Sequence, residues 1–321
     1  MKKILLSQEI HPFGRKLLDD KFEVVTAPDC TIETMLNLSK DVNAIILRTT
    51  SKVTREVIEK ARILEIISRT GAGVDNVDVQ AATEKGIYVC NLPAVNNLSV
   101  CEHAISLMMT LAKQLPYMDK AVRSGNWKAR NANTSVELEG KILGIIGMGN
   151  IGSIVARKCH QGLGMKILAS DPYVKEKFKD YDYKFCDSLD GLFREADFIS
   201  IHCPNLAETK GMVTRELLFS MKPEAFLINT ARGGVIDEEA LIQVLSQKRI
   251  AGAGLDVFEK EPPDPDNPLL KMDNVVLSPH AAALTKEASI KMSVEAAQAV
   301  VDFFEGIQPK YIYNLKSLRS T

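Results

Sequence analysis

The sequence predicts an α/β chain made of two doubly wound parallel-sheet domains, one inserted into the other. Short apolar runs alternate with helical patterns from the first residues onward, as parallel strands between helix layers do. The same alternation restarts after residue 140, and a last long helical pattern, Lys286 to Glu305, ends at Gly306 with Pro309 beyond it as a stop signal. That closing helix is long enough to return to the first lobe, so the first domain is read as residues 1–98 with 284–321 and the second as 99–283.

In the first domain, Lys3–Leu6, Glu23–Thr26, Ala44–Leu47, Ile66–Ser68 and Tyr88–Cys90 read as strands, with helices such as Thr54–Ala61 between them. A long helix, Ser99 to Lys113, leads to Leu115-Pro116 and a polar arm from Arg123 to Val136. The arm is a candidate for reaching a second subunit, and Trp127 reads as its packing anchor. Ile142–Ile146, Lys166–Ser170, Phe198–His202, Ala225–Asn229, Gly252–Asp256 and Val275–Ser278 then supply six strand candidates, enough for a complete dinucleotide-binding sheet. The proline-rich stretch Glu261 to Pro268 reads as a surface turn.

The stretch Lys141-Ile-Leu-Gly-Ile-Ile-Gly147-Met-Gly149-Asn-Ile-Gly152 carries the most chemical information. It predicts a buried strand, a tight glycine turn and a helix starting at Asn150, which together aim backbone N–H groups at a pyrophosphate. Gly147 permits the turn, Gly149 removes a Cβ that would block the pyrophosphate, and Gly152 lets the helix pack closely on the strand. A glycine triplet alone also occurs in ordinary tight turns; the strand, the helix and an acid in register are what make this one a dinucleotide fingerprint. The acid is Asp171, at the end of the next strand, where a carboxylate can accept both ribose hydroxyls of the adenosine and repel a 2′-phosphate. Pro172-Tyr173-Val174 follow it without an arginine, which favours NAD over NADP, while Lys175 and Lys177 leave NADP open.

Length and composition set the remaining bounds. A chain of 321 residues suits two domains and buries about 75% of its unfolded surface without disulfide or metal staples. With 40 Lys+Arg against 41 Asp+Glu, nothing suggests a nucleic-acid partner. The six cysteines are scattered without CxxC pairs and read as reduced and structural. No metal-ligand spacing is present. Lys2-Lys3 precede only Ile4-Leu5-Leu6, too short for a signal-peptide core, and no apolar run approaches the ~18 residues of a membrane span. The expectation is a cytoplasmic protein.

Three ionisable residues stand where strands of the second sheet end: Arg232, Glu261 and His280. Ligands of open parallel sheets bind outside the carboxyl ends of the strands, so these side chains can converge. An arginine fork binds a carboxylate and polarises an adjacent carbonyl. A histidine exchanges the proton of a carbinol, and a nearby carboxylate orients its ring and favours the imidazolium. Together they suit the oxidation of a 2-hydroxy acid. Singly, each has a plainer reading: Arg232 as a turn cap before Gly233-Gly234, Glu261 as a solvated residue in a charged loop, His280 as a hydrogen-bonded histidine below a helix. His103, beside Glu102 in the long helix, reads as structural, and His202 as a residue lining the cofactor site.

Leu227-Ile-Asn-Thr-Ala-Arg232-Gly-Gly-Val-Ile-Asp237, Gly254-Leu-Asp256-Val-Phe-Glu-Lys-Glu261-Pro262 and Ser278-Pro279-His280 resemble signatures of the D-isomer-specific 2-hydroxyacid dehydrogenases. So do Arg69-Thr-Gly71-Ala-Gly73-Val-Asp75-Asn-Val-Asp78 and Ser99-Val-Cys-Glu102-His103. The resemblance implies a Rossmann dinucleotide-binding domain inserted into a flavodoxin-like substrate domain, a homodimer, and hydride transfer between NAD(H) and C2 of a small D-2-hydroxy or 2-keto acid. It implies Arg232 as substrate anchor, His280 as acid/base with Glu261 as its partner, and Gly71, Ala72 and Gly73 as N–H donors to the substrate carboxylate. It further implies cofactor contacts from Asn150, Ile151, Asp171, Pro204, Thr209, Thr230 and Asp256, the last near the nicotinamide amide. Arg48, after the strand Ala44–Leu47, resembles the position where phosphoglycerate dehydrogenases hold a second anionic group; an ordinary surface arginine is the equal alternative. Ala281-Ala282-Ala283 depart from the Ile or Thr and glycine of many members, so the pocket beside His280 is expected to differ in shape. The chain ends at Thr321, which predicts that the serine-binding regulatory domain of longer phosphoglycerate dehydrogenases is absent. A rival from another class is a nicotinamide-sensing corepressor or scaffold on the same fold.

Overall fold

The computed structural model describes residues 1–132 and 134–319. Two compact units emerge, Met1–Asn96 together with the segment beginning at Leu284, and Asn97–Ala283. The first unit runs β1 (Lys3–Leu6), α1 (Pro12–Asp19), β2 (Glu23–Thr26), α2 (Ile32–Leu38), β3 (Ala44–Leu47), α3 (Arg55–Lys60), β4 (Ile66–Arg69), α4 (Val79–Glu84) and β5 (Tyr88–Cys90). The second opens with α5 (Asn97–Ala112), α6 (Leu115–Arg123), β6 (Ile142–Ile146), α7 (Gly152–Leu163), β7 (Lys166–Ser170) and β8 (Tyr183–Phe185). It continues through α8 (Leu189–Glu195), β9 (Phe198–Ile201), α9 (Arg215–Ser220), β10 (Phe226–Asn229), α10 (Glu238–Ser246), β11 (Gly252–Leu255) and β12 (Val275–Leu277). The chain then returns to the first unit through α11 (Lys286–Phe304) and α12 (Leu315–Leu318).

The first sheet is all parallel in the order β2-β1-β3-β4-β5, the flavodoxin-like winding. Successive strand residues point to opposite faces, so Ile4, Leu6, Ala44, Ile46 and Ile66 enter one core while Leu5, Ile45, Leu47 and Ile67 enter another. Helix α11 joins the first of these cores through Met292, Ala296 and Val300, four residues apart and therefore on one face. At Gly14 of α1 the approach is so close that a Cβ would lie 2.4 Å from the Ser293 carbonyl oxygen. That contact ties the late helix to the early strands.

The second sheet is also all parallel, ordered β12-β11-β10-β9-β6-β7-β8. The order is the 3-2-1-4-5-6 dinucleotide-binding arrangement with a strand added beyond its last member. It holds seven strands rather than the six read from the sequence. The strand beyond the last member is β12, whereas the one absent from the sequence reading is β8, the third strand of that order: a three-residue edge strand with no fully buried side chain, paired through Ala169↔Phe185 and backed by ring contacts among Phe178, Tyr181, Tyr183 and Phe185. Its apolar signal is too short and too interrupted by Asp and Lys to stand out. Two further readings are corrected. Helix α7 begins at Gly152, with Asn150 and Ile151 in the turn before it. Trp127 is 66% exposed, so it anchors no packing within the chain; Leu115, Tyr117 and Val122 nearby are exposed as well. Among the described residues, no helix is long and apolar enough to cross a membrane.

Candidate active site

Register builds the site. Ile146 of β6 pairs with Ser170 of β7 and Ile201 of β9, so the residues just beyond these strands share one carboxyl edge. Gly147 donates its N–H to the Ser170 carbonyl (2.9 Å), which sets the glycine turn beside Asp171. The Asp171 carboxylate accepts from Met148 N and from Tyr173 N, both at 2.8 Å, and is thereby pinned at the end of β7.

The three glycines of the turn differ in what a side chain would meet. Gly147 has φ +90°, and a Cβ there would press on His202 and Cys203 at 2.9 Å. At Gly152 a Cβ would fall 2.0 Å from the Gly147 carbonyl oxygen. At Gly149 it would meet nothing within 4 Å. Packing within the chain therefore demands the first and third glycines, whereas Gly149 faces open space, as a cradle for a bound pyrophosphate requires. Ile151, at the N-cap of α7, makes no side-chain capping hydrogen bond. The residues fit a dinucleotide.

Two buried polar atoms on the same edge lack a partner among the described residues: Nδ1 of His202 and Oγ1 of Thr230, which follow the paired ends Ile201 and Asn229 of β9 and β10. Burial pushes the His202 pKa down to about 4, so its ring is neutral at physiological pH, with Nε2 against Ser200 Oγ at 2.8 Å. Thr209 accepts from Leu206 N (2.7 Å) and donates to the Pro204 carbonyl (2.6 Å), closing the loop after β9.

The loops after β10, β11 and β12 carry the ionisable residues. Asn229 organises the first loop, accepting from Ala231 N (3.0 Å) and donating to the Arg232 carbonyl (2.9 Å), while Arg232 Nη1 donates to the Ala231 carbonyl at 2.7 Å. Gly233 then packs directly on the next loop, where a Cβ would come within 1.9 Å of the Phe258 carbonyl carbon. That approach brings Arg232 within electrostatic range of Glu261.

Glu261 accepts from Phe258 N at 3.1 Å through one oxygen and meets His280 Nδ1 at 2.6 Å through the other. Burial pushes the Glu261 pKa up, but the His280 contact, the Phe258 N–H and the Arg232 charge outweigh it and hold the carboxyl below its ordinary value. Glu261 is therefore ionised at neutral pH. A hydrogen bond from His280 Nδ1 to this carboxylate directs Nε2 away from Glu261, the orientation a proton donor needs.

His280 sits at φ +51°, a left-handed conformation uncommon outside glycine, though asparagine, aspartate and histidine adopt it more often than other residues. The fully buried Asp256 surrounds it with hydrogen bonds. Its carbonyl accepts from His280 N (2.8 Å), and its carboxylate accepts from Ala281 N (2.8 Å), Ala282 N (2.9 Å) and Ser278 Oγ (2.6 Å). The sequence reading assigned no role to Ser278. Its position follows from register: once β11 pairs with β12 through Leu255↔Leu277, Asp256 and Ser278 are neighbours.

In the first unit, Arg48 follows β3, with its N–H on Ser7 Oγ (2.9 Å) and Nη1 on the Glu9 carbonyl (2.8 Å). It lines a cavity of about 280 Å³ together with Glu9, His11, Thr70 and Ser293. Gly71 follows β4 one residue on, where a Cβ would lie 2.6 Å from Arg69 Nη1. The carbonyls of Gly71 and Ala72 accept from Leu92 N (2.9 Å) and Asn91 Nδ2 (2.7 Å), which shapes the turn that continues to Gly73.

Comparison with known proteins places this geometry. The chain is 40% identical over 314 residues to D-3-phosphoglycerate dehydrogenase of Archaeoglobus fulgidus, covering 98% of this chain and 58% of that one. It thus spans about 60% of the length of such phosphoglycerate dehydrogenase relatives. It is 41% identical over 288 residues to hydroxypyruvate reductase of Thermotoga maritima, covering 89% of this chain and 92% of that one. The crystal structure of an NADPH-dependent glyoxylate/hydroxypyruvate reductase from Sinorhizobium meliloti, in complex with NADP and malonate, superposes with a TM-score of 0.86 at 29% identity, covering 97% of this chain and 96% of that one. Residues 105–282 match the family model described as D-isomer specific 2-hydroxyacid dehydrogenase, NAD binding domain. With a parallel dinucleotide-type sheet whose carboxyl edge carries the glycine turn, the arginine and the Glu–His pair, the chain belongs to the D-isomer specific 2-hydroxyacid dehydrogenase family.

Proposed function

We propose that the protein is an NAD-dependent oxidoreductase interconverting a small D-2-hydroxy acid and its 2-keto acid. The observation that carries this reading is the 2.6 Å contact between His280 Nδ1 and an ionised Glu261 that also feels the Arg232 charge. Bound NADH would supply the hydride that C2 of the keto acid accepts. The chain's residues do the rest. Arg232 engages the substrate carboxylate through its planar fork and polarises the neighbouring carbonyl. His280, its Nδ1 held by Glu261, donates its Nε2 proton to the carbonyl oxygen as negative charge develops there. In the reverse direction neutral His280 removes the proton of the C2 hydroxyl. The Gly71–Gly73 turn is proposed to donate N–H groups to the substrate carboxylate.

The test is NADH consumption with hydroxypyruvate, glyoxylate, 3-phosphohydroxypyruvate and a branched 2-keto acid. Turnover of at least one is expected. Absence of turnover, with NADH bound and switching a protein partner, would favour a sensing role instead. Relatives named for phosphoglycerate and hydroxypyruvate make these substrates the first to try. Arg48 beside its cavity is the proposed anchor for a second anionic group, so Arg48→Ala should raise KM for 3-phosphohydroxypyruvate and leave glyoxylate unaffected.

NAD rather than NADP is proposed from Asp171, whose carboxylate, held at the end of β7 by Met148 N and Tyr173 N, would repel a 2′-phosphate. Asp171→Ala should lower the ratio of kcat/KM for NAD over NADP by about tenfold or more, since like charges brought together cost several kcal/mol. An unchanged ratio in steady-state kinetics would remove Asp171 from coenzyme selection. The exposed Leu115, Tyr117, Val122 and Trp127 support a homodimer, and sedimentation at the monomer mass would contradict it.

A further inference from the structure

Helix α5 approaches β11 unusually closely because β11 carries glycine at alternate positions. A Cβ on Gly254 would lie 3.0 Å from Leu107 Cβ, and one on Gly252 would come within 3.4 Å of Leu111 Cδ2. One helical turn, four residues, rises about 6 Å, and two strand residues advance about 6.6 Å. The pairing of Leu111 with Gly252 and Leu107 with Gly254 therefore continues to His103 beside Asp256. There His103 Nε2 lies 2.7 Å from Ser278 Oγ and 3.6 Å from Asp256 Oδ1. The Ser278 hydroxyl proton is used on Asp256 at 2.6 Å, so Oγ accepts from His103 Nε2–H.

We propose that His103 and Ser278 are positioning residues for His280, acting through Asp256 to hold the loop that keeps the acid/base histidine in its left-handed conformation. The chain of contacts is continuous: His103 to Ser278 Oγ, Ser278 to the Asp256 carboxylate, that carboxylate to Ala281 N and Ala282 N, and the Asp256 carbonyl to His280 N. Ser278 and Ala281 bracket His280 from both sides. His103, whose side chain is 28% exposed, fills the acceptor site of Ser278 Oγ and so directs the serine proton toward Asp256. Without it the hydroxyl is free to rotate, and the carboxylate loses one of the three donors that fix it. The proposal rests on the acid/base assignment of His280, and its test separates the two.

Ser278→Ala, Ser278→Thr, His103→Ala and His103→Gln are compared with wild type by kcat and KM for a turned-over keto acid, by NADH Kd from fluorescence quenching, and by the ring ¹⁵N shifts of His280. Ser278→Ala is expected to lower kcat about tenfold, less than the ~10²-fold that follows a 1 Å misplacement, with NADH Kd and keto-acid KM nearly unchanged. Ser278→Thr, which keeps the hydroxyl, should restore kcat and the His280 shifts. His103→Ala should act in the same direction, His103→Gln should recover part of the loss by keeping a donor, and the Ala/Ala double variant should be no worse than Ser278→Ala. Wild-type kcat and unmoved shifts in Ser278→Ala would overturn the proposal, as would a loss that appears wholly in NADH Kd. If the wild-type protein reduces no keto acid, the proposed activity fails while the ring shifts still decide: moved shifts sustain the positioning role, and unmoved shifts end it.

Discussion

Replacing His280 by asparagine is expected to lower kcat for keto-acid reduction by about 10²–10⁴-fold, the usual contribution of a positioned acid/base, while leaving NADH affinity nearly intact. Asparagine is the informative substitution because of the backbone. At φ +51° an ordinary L-residue carries a left-handed strain of about 1–2 kcal/mol, which asparagine tolerates better than alanine. His280→Asn thus removes the proton donor without adding loop strain, whereas His280→Ala removes the donor and adds strain. If the role is catalytic, the two variants should match in kcat and differ in thermal stability. Glu261→Gln should fall between these and wild type, since it keeps an acceptor for Nδ1 but loses the carboxylate charge beside the ring. Near-wild-type turnover by His280→Asn would remove the proton-transfer role and with it the proposed reaction.

Gly149→Val should weaken NADH binding by about 10²-fold, equivalent to about 2.7 kcal/mol, and leave the melting temperature close to wild type. The reason lies in the contrast within the turn. A side chain at position 149 projects into space that the chain does not use and that a pyrophosphate approaching the turn would need. Gly152→Ala should show the opposite pattern of cause. At this first residue of α7 an alanine Cβ would collide with the Gly147 carbonyl oxygen at 2.0 Å, and overpacking of that kind costs about 1–3 kcal/mol or more. Calorimetry on the two variants, paired with NADH titration, separates a binding glycine from a folding glycine. A Gly149→Val protein that binds NADH like wild type would overturn the placement of the pyrophosphate.

Much of this architecture was legible from local signals. The inner strands of both sheets stand out as apolar runs because each is covered on two faces, and Gly147, Gly149 and Gly152 follow a strand in a spacing that few other structures require. The edge strand β8 was not legible: its three residues are stabilised by a cluster of rings that are close in space and diluted by charged residues in sequence. The sequence presents His103 as a structural residue of its helix, and nothing local links it to Ser278, 175 positions away.

Composition, periodicity and the spacing of glycines and acids were sufficient to specify the class of fold, the dinucleotide fingerprint and which ionisable residues end strands, because these depend on near neighbours along the chain. Strand order and register, the left-handed backbone of His280, the depressed pKa of Glu261 and the His103–Ser278–Asp256 contact depend on which strands lie side by side and how closely a helix can approach them. Those distances come from packing many weak contacts at once, among them the bare glycines of β11. No single stretch of sequence encodes them.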